Sequence, residues 1–138
     1  MPIPVIIDTD PGIDDALAIA LAVRSPGLQV LGLTTVFGNA GVEVTYRNAR
    51  HLVERLGARV PVWAGARRAL VRAPFVATET HGEEGLGYAA VPPRDPAPPA
   101  VEAPMALLRL LDGAPEPVTL VALGPATNLA LALALDRD

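Results

Sequence analysis

The chain has 138 residues, 51% of them hydrophobic and 19% charged, with a formal net charge of −4. That length and apolar content fit one globular domain with a real core and exclude a disordered chain. All 11 Lys/Arg positions are arginine and show no clustered basic face, which argues against nucleic acid as a partner, and the absence of cysteine excludes disulfides and thiolate chemistry.

The first predicted element is a buried parallel strand over Ile3 to Ile7, short, apolar and β-branched. Asp8-Thr9-Asp10-Pro11-Gly12-Ile13-Asp14-Asp15 follows, with Pro11-Gly12 as the turn. Asp14 to Val23 reads as a helix of strong formers. Four carboxylates thus crowd the C-terminal end of a strand and the first turn of the next helix, where open α/β sheets bind ligands. No Lys or Arg precedes Arg24, so a divalent cation is the natural counter-charge. Hard oxygen donors suit Ca²⁺ or Mg²⁺ rather than zinc. One or two aspartates would fit a simple helix cap; four favour the metal.

Leu28 to Thr35 is the second predicted strand, closed by Phe37-Gly38-Asn39. An amphipathic helix over Val42 to Leu56 sets Val42, Tyr46, Ala49, Val53 and Leu56 on one face and Glu43, Arg47, Arg50 and Glu54 toward water, with Gly57 ending it. Val60 to Ala64 is a short third strand whose proline marks an edge or a strand start. Residues 65–101 form a long irregular stretch holding His81-Gly82-Glu83-Glu84-Gly85-Leu86-Gly87 and then a proline-rich spacer, Val91 to Pro99. Arg67-Arg68 and Arg72 read as a solvated loop. Ala103 to Leu111 is a helix with a Pro104 start signal, Val118 to Ala122 the fourth strand and Ala126 to Leu135 the last helix. The alternation predicts an α/β fold: an open, mostly parallel, Rossmann-like sheet with helices on both faces. No basic n-region precedes the first apolar run and no stretch reaches bilayer length, so a cytoplasmic protein without a membrane partner is expected.

The Asp8–Asp15 segment, Thr34-Thr35-Val36-Phe37-Gly38-Asn39, His81 to Gly87 and Leu123-Gly124-Pro125-Ala126-Thr127-Asn128 together resemble, in family order, the inosine-uridine preferring nucleoside hydrolases. That resemblance implies hydrolysis of the N-glycosidic bond of ribonucleosides, a Ca²⁺ cofactor and a role in purine and pyrimidine salvage. It also implies a homo-oligomer, dimer or tetramer, for the complete protein. By resemblance, Asp10, Asp15 and the Leu123 carbonyl are metal ligands. Asp10 is also similar to the carboxylate that takes a proton from the attacking water, and Asp14 to the one that orients water and ribose. Asn39 matches a substrate-pocket amide and His81 a base-side histidine on a mobile loop. Asp8 is expected to support the metal ligands by hydrogen bonding.

Members of that family are much longer, and their second half supplies a further aspartate ligand, a histidine near the base, and an asparagine and glutamate for the ribose. The chain therefore reads as residues 1–138 of a single nucleoside hydrolase domain, its N-terminal portion, with weak metal binding and little activity expected alone. The alternative is a truncated, non-catalytic unit that binds metal or nucleoside. A haloacid-dehalogenase-type phosphotransferase also fits Asp8-Thr9-Asp10, but that chemistry usually wants a lysine and the chain has none.

Overall fold

The computed structural model describes residues 1–73, 78–92 and 102–136. Four strands, β1 (Ile3–Thr9), β2 (Leu28–Thr35), β3 (Val62–Ala64) and β4 (Thr119–Ala122), form one sheet in the order β3-β2-β1-β4. Every pairing is parallel, as strands joined through helices require. β1 is therefore central, and β3 and β4 are the edges among the described strands. The edge position expected from Pro61 holds for β3, although the strand begins only at Val62.

Successive β1 residues point to opposite faces, and the core divides accordingly. Ile7 packs with Ile19 and Ala22 of α1 (Ile13–Arg24), Leu33, and Ala49 and Val53 of α2 (Val42–Arg55). Ile6 packs with Leu107 of α4 (Ala103–Asp112) and Ala132 of α5 (Thr127–Leu135). Helices thus cover both faces. Ile6, Ile19 and Leu33 are fully buried, each worth about 1.5–3 kcal/mol of transfer free energy.

The helices lie where the apolar spacing puts them, and Gly57 closes α2 with a φ of +64° that suits glycine alone. Three details differ from expectation. β1 runs on to Thr9, so Asp8 belongs to the strand rather than to the turn. Arg47 does not face water: its side chain is only 16% exposed and pairs with Glu84. A one-turn helix, α3 (Thr78–His81), interrupts the long stretch after β3. The proline-rich spacer from Pro93 onward lies outside the described residues.

β4 is flanked by apolar grooves on both faces of the sheet. One, of about 330 Å³, is lined by Ile3, Val5, Leu21, Val121 and Leu123; the other, of about 150 Å³, by Leu107, Leu120, Leu129 and Leu133. Among the described residues no helix is long and apolar enough to cross a membrane.

Candidate active site

The end of β1 delivers Asp8 and Asp10, and the first turn of α1 delivers Asp14 and Asp15. The four carboxylates have different surroundings. Asp8 is fully buried. Its Oδ1 accepts from the Thr34 hydroxyl (2.6 Å) and from Asn128 Nδ2 (2.8 Å), while Oδ2 has no partner among the described residues. Burial pushes its pKa up, against the pull of those two donors.

Asp15 is also buried and is held on three sides. The Thr9 hydroxyl donates to its Oδ1 at 2.6 Å. The Gly12 N–H and Asn39 Nδ2 both donate to its Oδ2 at 3.2 Å. The Gly12 contact is a helix cap, so the plain structural role of an aspartate at a helix start is real for Asp15. It shares its carboxylate between the fold and the site.

Asp10 lies at the mouth. Asn39 grips it twice: the Asn39 N–H donates to Asp10 Oδ2 (2.7 Å) and Asn39 Nδ2 to the Asp10 carbonyl (3.0 Å). Its carboxylate sits between two glycines. A Cβ on Gly38 would stand 2.0 Å from Oδ2, and one on Gly124 would stand 2.7 Å from Oδ1. Only residues without side chains leave it that room. Burial, together with the charges of Asp15 and Asp14, pushes the Asp10 pKa up to about 7 despite the Asn39 N–H. A carboxylate so placed favours a positive partner.

Asp14 is the exposed member, its side chain 84% accessible. His81 closes the cluster from above: its Nδ1 accepts the Ile13 N–H at the start of α1 (3.3 Å) and stands 4.0 Å from Asp14 Oδ1. Gly12 makes this approach possible, since a Cβ there would meet His81 Nδ1 at 2.7 Å and Asn39 Nδ2 at 2.6 Å. Leu123 follows β4, and its N–H donates to the Asp8 carbonyl at 2.8 Å. It immediately precedes Gly124, against the Asp10 carboxylate.

The structure thus gathers Asp10, Asp14, Asp15, Asn39, Leu123 and His81 around one turn. Among the described residues no group of three or more His, Cys, Asp or Glu side chains is arranged to hold a metal. Asp8 anchors the strand end, its Oδ1 held by Thr34 and Asn128. Sequence reasoning gave no role to Asn128. This buried amide also donates to the Thr35 carbonyl (2.9 Å) and accepts from the Ala66 N–H (2.9 Å), tying both central strands, the post-β3 loop and α5 together. Its place in the Gly124-Pro125-Ala126-Thr127-Asn128 run was the available signal. A cavity of about 690 Å³ is lined by Arg67, Arg68, Arg72, Glu102 and Thr127 among others. It includes none of Asp8, Asp10, Asp14 and Asp15, and Arg67 is paired with Glu43.

The chain is similar to several known proteins. A non-specific ribonucleoside hydrolase, RihC, of Escherichia coli (strain SE11) is 49% identical over 134 residues, covering 96% of this chain and 44% of its own. A plant nucleoside hydrolase structure, PpNRh1, superposes with a TM-score of 0.89 at 43% identity, over 99% of this chain and 44% of its own. An inosine-guanosine nucleoside hydrolase does so with a TM-score of 0.90 at 38% identity, over 100% and 44%. The chain therefore spans less than half the length of these relatives. The family described as inosine-uridine preferring nucleoside hydrolase matches residues 5–138, and this chain belongs to it.

Proposed function

We propose that this chain supplies the metal-and-ribose side of a ribonucleoside hydrolase that cleaves the N-glycosidic bond with the help of Ca²⁺. What supports this most is the Asp10 carboxylate, set between Gly38 and Gly124 at the strand end with Asp15 and Asn39 beside it. Asp10, Asp15 and the Leu123 carbonyl would hold the ion. When bound, the cation lowers the pKa of the attacking water and anchors the ribose hydroxyls.

Asp10 takes the water proton as general base. Asp14, reaching into solvent, hydrogen-bonds the ribose hydroxyls and aligns the water. Asn39 fixes both Asp10 and Asp15, so that base and ligand keep one geometry. The water oxygen bonds to C1′ as the C1′–N bond breaks, and the electron pair leaves with the base. Positive charge growing on the sugar is stabilised by the surrounding carboxylates. His81 sits over the same turn and faces the base side. The complete protein is proposed to be cytoplasmic and homo-oligomeric.

A second reading is carried by the share of length: the chain covers 44% of RihC, and apolar grooves flank β4. On that reading the 138 residues alone bind metal weakly and do not turn over. Calorimetric Ca²⁺ titration and a nucleoside hydrolysis assay separate the two, run on this chain and on a chain of the relatives' full length. Turnover by the longer chain that disappears in Asp10→Ala supports the assignment; near-normal turnover in that variant sinks it. Asp15→Asn is expected chiefly to weaken Ca²⁺ affinity, and an unchanged Ca²⁺ dependence would count against it.

A further inference from the structure

Two consecutive residues of α2, Arg47 and Asn48, reach across to the loop that carries His81. Asn48 is fully buried on α2, beside Val42, Thr45, Tyr46, Ala49 and Val53. Its Nδ2 donates to the Glu84 carbonyl at 2.8 Å and approaches the Pro11 carbonyl at 3.4 Å. One amide therefore touches both the turn between Asp10 and α1 and the loop after α3. Beside it, the Arg47 guanidinium pairs with the Glu84 carboxylate. The loop is shaped for this contact. Gly82, Gly85 and Gly87 all have positive φ, and a Cβ on Gly85 would stand 3.0 Å from Asn48 Nδ2 and 3.3 Å from the Pro11 carbonyl. The Gly87 N–H returns to the His81 carbonyl at 2.7 Å, closing the loop upon itself.

Asn48 Oδ1 and Arg47 Nε are buried without a partner among the described residues. Such orphans are costly, and an apolar side chain at position 48 would remove one of them. Core packing alone does not explain a polar residue there. We infer that Asn48, assisted by Arg47, is a positioning residue that acts through the loop to hold His81 over the N-terminus of α1. Its bearing on hydrolysis rests on the function proposed above; the latch itself rests on geometry and is tested without turnover.

The Ile13 amide provides the readout. It lies in the first turn of α1, where no intrahelical acceptor exists, and its partner is His81 Nδ1. Its hydrogen-exchange rate therefore reports where His81 is. In the metal-free 138-residue chain, Asn48→Ala is expected to speed Ile13 exchange roughly tenfold, the loss of about one hydrogen bond, while the Ile6, Ile7 and Leu33 amides keep their rates. Unchanged Ile13 exchange overturns the inference. So does equal acceleration of every amide, which would make Asn48 a general stabiliser. Should Asn48→Ala fail to fold, Gly85→Ala strains the same contact from the loop side and is expected to give the same Ile13-selective signature. Its absence there also overturns the inference.

Discussion

Asp8 and Asp10 stand two residues apart at the end of β1 and have different fates. Asp8 is sealed, with Thr34 and Asn128 on one oxygen. Asp10, also buried, has its carboxylate fitted against Gly38 and Gly124, where no side chain stands in its way. Burial raises both pKa values, but only Asp10 adds the repulsion of neighbouring carboxylates. A run of aspartates is therefore not a uniform site. The residue still inside the strand is held by neutral donors, and the one just past its end also feels the neighbouring carboxylates.

The largest expected effect lies on the sealed side. Asp8→Ala leaves the Thr34 hydroxyl and the Asn128 amide buried without their acceptor, and urea unfolding should show a loss of about 2–4 kcal/mol. Asp10→Ala should cost far less stability without metal, yet abolish the Ca²⁺ response in calorimetry. Equal losses in the two variants would erase the contrast. Next comes Gly38→Ala, whose methyl must displace the Asp10 carboxylate. It should cost about 1–3 kcal/mol by overpacking and weaken Ca²⁺ binding more than it weakens the fold.

A pH series sharpens the comparison further. The folded pKa of Asp10 lies near 7, above its ordinary value of 3.8. The folded state therefore holds a proton there that the unfolded state has released, and this contribution is fully present below about pH 4. It is lost as pH rises through about 7. The urea midpoint of the metal-free chain should fall across that window, and the fall should be smaller in Asp10→Asn. Identical profiles would refute the Asp10 assignment. The smallest effect is expected from Asp8→Asn, which keeps an acceptor for Thr34 and Asn128 and should change stability by no more than about 1 kcal/mol.

Local pattern made most of the framework legible. Strands β1, β2 and β4 and the four long helices follow apolar periodicity and Gly/Pro punctuation, so their limits fall close to expectation. The one-turn α3 has no room for a period, and Arg47 looked exposed because its partner Glu84 lies 37 residues away. The crowding of Asp10, Asp14 and Asp15 was readable from spacing alone. What spacing could not give was how each carboxylate is partnered. Asp15 spends its oxygens on Thr9, Gly12 and Asn39, and Asn128 reaches back to Asp8. Those contacts depend on the sheet having closed, and no short window contains them.

The strand order carries a temporal consequence. β1 is made before both of its neighbours, β2 and β4, and the partners of Asp8 lie 26 and 120 residues further along. At about 5–20 residues per second, the ribosome needs roughly ten seconds to deliver Asn128 after Asp8. Throughout that interval the apolar Ile3–Thr9 strand can pair on one side only. Such long-range closure makes folding slow, and one edge of β1 stays unpaired until the fourth strand emerges.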